Sequence, residues 1–251
     1  MKRTALFIGS LLVGLVLAVG SATAQKAKTQ KEVDAINAAI SATDPKVRIK
    51  AAEAALQQFA DTEFKSMLQT MMVGAAADAN ESANVIIYGE NALKADPKNY
   101  QVQLWMSLAT VSGTGQFDLD KEEKLARAEK LASDGLKNLA VAPKPNPQLT
   151  DEQWTEGKKQ IEAQAHEALG QVANSRKKYD VAIKEYELAL SLAPEATTMT
   201  RLAAAYTNGG RPADAIKTLD QVLAQPNLHP AVKQVATAEK DRATKALASA
   251  K

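Results

Sequence analysis

The chain has no cysteine, two histidines, two tryptophans and four phenylalanines in 251 residues. Without cysteine there can be no disulfide, no thiolate nucleophile and no lipid attached at a cysteine, so an exported form must be held together by packing alone. His166 and His229 are too few for a zinc site unless two or more carboxylates join them. His166 reads as a half-buried structural residue on a packed helix face, and His229, beside Pro230, as a turn residue. No metal and no cofactor are expected.

Other catalytic patterns are missing too. There is no Gly-x-Ser-x-Gly and no His-Glu-x-x-His, and Gly113-Thr114-Gly115 lacks both a third glycine at the required spacing and a following Gly-Lys-Ser/Thr, so it reads as a loop. Asp118, Asp120, Glu122 and Glu123 do not continue into the twelve-position loop of an EF-hand; N-capping of the helix that follows explains them better. No catalytic residues can be named, and an enzyme is not expected.

Only one long apolar run exists, Leu6 to Val19. Lys2-Arg3 precede it and Ala22-Thr23-Ala24 follow it, the three parts of a secretory signal, with cleavage expected after Ala24. The run is shorter than the ~20 residues a spanning helix needs. The expectation is therefore a signal peptide at 1–24, a mature chain at 25–251, periplasmic residence and no stable membrane insertion after cleavage. The full chain has 31 basic and 29 acidic residues, and loss of Lys2 and Arg3 leaves 29 against 29. Charges alternate along the chain, as in Asp120-Lys121-Glu122-Glu123-Lys124, and no basic stripe forms. Nucleic acid is not expected as a partner.

What the chain does have is helical periodicity that recurs. Leu169, Gly170 and Ala173 fall on one stripe of a helix, and Ala182, Tyr186 and Ala189 on one stripe of the next, at amphipathic spacing. Gly170 and Ala182 are small where two backbones would approach, Tyr186 supplies bulk beside them, and Pro194 stops the second helix. The scheme returns 33 residues later: Leu202, Ala203, Tyr206, Ala215, Leu219 and Val222 replace those six, and Pro226 ends the unit. Between its helices, Asn208-Gly209-Gly210-Arg211-Pro212 needs glycine for positive φ and proline to start the next helix.

Upstream, Ala92 and Pro97 precede Ala189 and Pro194 by 97 residues, about three units of roughly 34. Gly89 to Pro97 looks like the end of a second helix whose first helix is Thr62 to Ala77, with Phe64, Met67, Leu68, Met71 and Met72. An earlier pair is expected at Val33 to Ser41 and Pro45 to Phe59, where Ile36 and Ile40 would face Val47, Ala51, Ala55 and Phe59. Tyr100 to Val111 and Lys121 to Leu139 form a pair split by a surface loop, 112–120. After Pro143-Lys144-Pro145-Asn146-Pro147, an extended connector, Thr150 and Gln153 match a capping box that opens one long helix from Asp151 to about Asn174, with a kink expected near Gly157. Ala231 to Ala250 reads as a capping helix with a weak apolar stripe (Val232, Val235, Ala236, Ala243, Leu247) and a wet face of Lys233, Lys240 and Lys245.

The Leu169-Gly170…Ala173…Ala182…Tyr186…Ala189…Pro194 pattern and its 33-residue echo resemble tetratricopeptide (TPR) repeats, and the whole chain resembles exported bacterial TPR proteins. The chain departs from the family pattern at His166 and Met199, where Trp is often found, and its upstream units lack the Leu-Gly pair. The expected fold is all-α, a helix-turn-helix repeat solenoid. Its clearest repeats are 163–195 and 196–229, with weaker ones at 33–60, 62–97 and 99–142, and it closes on the C-terminal helix. The resemblance further implies a right-handed superhelix whose concave wall is built from first helices. On that basis Gln164, Glu167, Gln171, Asn174 and Ser175 in one repeat, and Thr197, Thr200, Ala204, Thr207 and Asn208 in the next, would line the groove. Ordinary solvent exposure is the alternative for each. Some family members clamp a partner's C-terminal carboxylate with Lys and Asn; Glu167 stands where such a clamp wants Lys, which argues against that mode.

Two functions follow from the resemblance. One is an adaptor that holds a peptide or helix of an envelope protein in the groove. The other is a structural or self-assembling component of an envelope complex, with self-association through the solenoid's ends or convex face.

Overall fold

The computed structural model describes residues 26–249, and the leader expected at 1–24 lies outside them. Eleven helices follow one another among the described residues: α1 (Gln30–Ser41), α2 (Pro45–Gln58), α3 (Lys65–Asp78), α4 (Ser82–Ala95), α5 (Tyr100–Ser112), α6 (Lys121–Ala140), α7 (Asp151–Ser175), α8 (Tyr179–Leu192), α9 (Ala196–Asn208), α10 (Pro212–Leu223) and α11 (Pro230–Ser249). Each packs on the next in sequence. In addition α3 touches α5, α5 touches α7, α7 touches α9 and α9 touches α11, whereas second helices make no comparable contact with one another. From α3 to α11 the first helices therefore form a continuous inner layer and the second helices an outer one, the architecture of a helical repeat solenoid.

The joint between α7 and α8 rests on a close approach. A Cβ on Gly170 would lie 2.7 Å from Cε1 of Tyr186, inside contact distance. Tyr186 is fully buried, and so are Ala182, Ala189, Ala203, Ala215, Leu219 and Val222 from the stripes of the two clear units. The α5–α6 pair obtains the same closeness with the glycine on the second helix. A Cβ on Gly135 of α6 would meet Leu104 Cδ2 of α5 at 2.7 Å.

The turns repeat as closely as the helices. Asn80, Lys177 and Gly210 have φ of 57°, 60° and 77°, and each stands two residues before the next helix. After each, one N–H reaches back to the helix just ended: Glu81 to Ala76 O at 2.9 Å, Lys178 to Ala173 O at 2.9 Å and Arg211 to Tyr206 O at 2.8 Å. This is the Schellman closure of a helix C-terminus. Pro212 begins α10, where its missing N–H costs nothing.

Several boundaries and faces differ from the sequence expectation, each for a local reason. Helix α1 starts at Gln30 because Thr29 caps it, accepting from Glu32 N at 3.2 Å. Helix α3 starts at Lys65 instead of Thr62, since the Thr62 hydroxyl donates to Glu32 Oε1 at 2.6 Å and accepts from Phe64 N at 3.2 Å. On α2 the expected Ala55 is buried and Ala51 packs half-buried on the core, but Ile49 and Ala52 complete the buried face and Val47 is 55% exposed. Asp118 and Asp120 do not cap α6 with their side chains; both bind Lys124 Nζ, at 2.8 and 2.9 Å. The loop before α6 is at the surface, with Phe117 and Leu119 fully exposed.

Helix α7 runs unbroken for 25 residues from a complete capping box: Gln153 N donates to Thr150 Oγ1 at 3.1 Å and Thr150 N to Gln153 Oε1 at 2.9 Å. At the other end, α11 buries Ala236 and Ala243 and turns Lys233, Thr237 and Lys245 to water. Val235, expected in the apolar stripe, is instead 58% exposed. No helix among the described residues is long and apolar enough to cross a membrane.

Candidate partner-binding surface

The inner layer carries a polar seam from α5 to α11. Ser112 at the end of α5 donates to Gln171 Oε1 at 3.3 Å, and Gln171 donates to Glu167 Oε1 at 3.3 Å. Glu167 on α7 is paired with Arg201 on α9 and also accepts from Thr198 Oγ1 at 3.1 Å. One turn further along, Asn208 Nδ2 meets Asn174 Oδ1 at 3.4 Å, and Arg242 of α11 donates to Asn208 Oδ1 at 2.7 Å. Three of these links, Glu167–Arg201, Asn174–Asn208 and Asn208–Arg242, join residues 34 apart. The seam is thus a consequence of the repeat: neighbouring first helices present equivalent faces, and side chains one position past equivalence meet.

The ten residues expected to line a groove divide by burial. Gln164, Gln171, Asn174, Thr197 and Ala204 are half-buried and Asn208 is exposed. Thr200 and Thr207 are buried: Thr200 donates to Ala196 O at 2.8 Å, and Thr207 to Ala203 O at 3.1 Å and Glu239 Oε1 at 2.8 Å. Those two hydroxyls already have partners inside the fold. Glu167 is likewise engaged, and burial raises its carboxyl pKa above the usual 4.5 even though Arg201 pulls the other way. Ser175 sits apart from the seam, in a shallow recess with Lys121, Glu122, Arg176, Lys177 and Lys178 at the turn edge. Arg201, Glu239 and Arg242 were not singled out in the sequence; the 34-residue offset between opposite charges at 167 and 201 was the available signal.

His166 has the structural role its position suggests. It is half-buried, with Nδ1 2.8 Å from Glu185 Oε2 across the α7–α8 joint. His229 is exposed and accepts from Ala231 N at 3.2 Å. Tyr206 donates to Glu187 Oε1 at 2.6 Å beneath the Arg211 guanidinium, and burial with that carboxylate pushes its hydroxyl up to about 12. Among the described residues no group of three or more His, Asp or Glu is placed to hold a metal.

With an inner layer of first helices, tandem pairing and Schellman turns established, the solved structures decide the fold. A thermophilic TPR protein of Thermus thermophilus matches 83% of this chain and 98% of its own at 15% identity, with a TM-score of 0.57. The fold is a TPR-like solenoid. The MamA protein is similar in structure over 76% of this chain and 90% of its own, at 15% identity and a TM-score of 0.52. No family model matches the chain, and no curated protein is similar to it in sequence. The seam on α7, α9 and α11 lies on the layer that the first helices form.

Proposed function

We propose that the chain is an exported, non-enzymatic adaptor that holds an extended peptide or a helix of an envelope protein along α7, α9 and α11. The observation that carries this reading is the seam itself. Gln171, Asn174, Asn208 and Arg242 place side-chain amides and a guanidinium in a row across three helices, and Gln164 and Thr197 flank it half-buried. The Gln171–Glu167 and Asn174–Asn208 contacts are long, at 3.3 and 3.4 Å, so these amides can exchange a weak internal bond for a stronger one to a peptide backbone. Amides offer both donors and acceptors, which suits a main chain.

Export rests on Lys2-Arg3, the apolar run and Ala22-Thr23-Ala24. N-terminal sequencing of the protein recovered from the periplasmic fraction tests it, with Gln25 expected first. A crosslinking pull-down from the cell envelope, comparing wild type with Gln171→Ala/Asn174→Ala/Asn208→Ala, tests the groove. A partner lost only in the variant supports the adaptor; partners unaffected by the change contradict it.

A further inference from the structure

Helix α1 is not part of the continuous layer that begins at α3. Its attachment runs through α2 and through the three residues 26–28 that precede its cap. Lys28 N donates to Glu32 Oε2 at 2.6 Å, and Glu32 Oε1 accepts from the Thr62 hydroxyl at 2.6 Å. One fully buried carboxylate therefore joins this strap to the loop between α2 and α3. Thr62 in turn accepts from Phe64 N at 3.2 Å, and Phe64 lies in the same core that Ala27 packs against. A buried carboxylate that loses one of its donors is strongly destabilising, so α1 is secure only while the strap lies in place.

The strap is held by acids. Lys26 N donates to Glu63 Oε2 at 2.9 Å, while Lys28 Nζ donates to Asp61 O at 3.1 Å and pairs with the Asp61 carboxylate. Three carboxylates, of Glu32, Asp61 and Glu63, thus gather on two residues of the strap. Lys28 brings one ammonium to them, and Glu63 is met by a backbone N–H. Cleavage after Ala24 makes Gln25 the first residue of the chain. Its α-ammonium then stands one residue, about 3.8 Å of chain, before the N–H that meets Glu63. In the uncut chain the same nitrogen is an uncharged amide.

We propose that residues 26–28 are a latch that closes α1 onto the α2–α3 loop, and that removal of the leader tightens it by setting a positive charge beside Glu63. The cleavage position is taken from the export reading, and groove binding plays no part in it. Hydrogen exchange read by mass spectrometry tests the latch on purified chains of defined N-terminus, so the outcome is separate from where a cell cuts the precursor. An Nα-acetylated chain that starts at Thr29 keeps the α1 cap and lacks the strap. Its α1 amides should exchange at least tenfold faster than those of the chain that starts at Gln25 with a free α-amino group, while α7–α11 stay unchanged. A chain with Gly-Ser-Gly-Ser ahead of Gln25 should exchange about two- to fourfold faster in α1, the effect of one solvent-exposed charge pair. Glu63→Gln should erase that last difference. A strapless α1 that exchanges as slowly as the complete one, a loss of protection that reaches α7–α11, or Gln25 and extended chains that exchange alike overturns the proposal.

Discussion

Gly170 and Tyr186 approach so closely that a single added methyl group would lie 2.7 Å from the tyrosine ring. Tyr186 is 1% exposed and fills the space that the missing side chain leaves between α7 and α8. Its removal opens a cavity that two packed backbones cannot close. Tyr186→Ala should therefore cost ~3–5 kcal/mol, read from urea denaturation midpoints. Gly170→Ala should also destabilise, through overpacking of about 1–3 kcal/mol.

Lys177 holds a left-handed backbone at φ 60° in the turn where the next unit has Gly210. A side chain with a Cβ pays roughly 1–2 kcal/mol for that conformation. Lys177→Gly should raise stability by about 0.5–1 kcal/mol, the gain being reduced by the extra freedom of glycine in the unfolded chain. An unchanged or lowered melting temperature would count against strain at this turn.

A buried glutamate, Glu32, and a half-buried one, Glu167, should impose opposite pH dependences. The carboxyl of Glu32 is held below its usual 4.5, first by the Thr62 hydroxyl and then by the Lys28 N–H. Its contribution is present above the unfolded value and is lost as pH falls through the lower folded one. Burial raises Glu167 above 4.5, so its contribution is full below the unfolded value and is lost as pH rises through the higher folded one. In stability–pH curves, Glu32→Gln should remove part of the acid-side fall, while Glu167→Gln should remove part of the decline above 4.5. Identical curves for wild type and both variants would contradict the two environments.

Glu167→Lys would not be a clean probe of binding, because the new ammonium would face Arg201 in a half-buried site. The substitution should lower stability by about 2 kcal/mol, less than the full penalty for breaking a buried pair because Arg201 is partly solvated. Gln171→Ala/Asn174→Ala, by contrast, removes long contacts and should cost no more than about 1 kcal/mol.

Much of the scaffold was legible because it is written in periodicity. The step from Gly170 to Ala203 and from Tyr186 to Leu219 reports a repeated packing contact, and Thr150 with Gln153 reports a cap within one turn of helix. The face of α2 was misread because Val47 and Ile49 are both β-branched and apolar, and only the crossing geometry with α1 decides that Ile49 is buried. Asp120 has the chemistry of an N-cap, but Lys124 one turn on competes for its carboxylate and wins. Arg201 and Arg242 escaped notice because Glu167 and Asn208, which they bind, lie on other helices, and a helix-by-helix pattern carries no cross-helix register. The burial of Thr207 has the same origin, since its hydroxyl reaches Glu239 on α11, whose distance no single repeat specifies.

The most direct test of the account places a photo-crosslinking residue at Asn208, on the inner layer, or at Leu188, on the exposed face of the second helix α8, and irradiates living cells. An envelope protein captured at Asn208 and not at Leu188 is the predicted result. Capture at Leu188 alone, or equal capture at both, would contradict binding along the first helices.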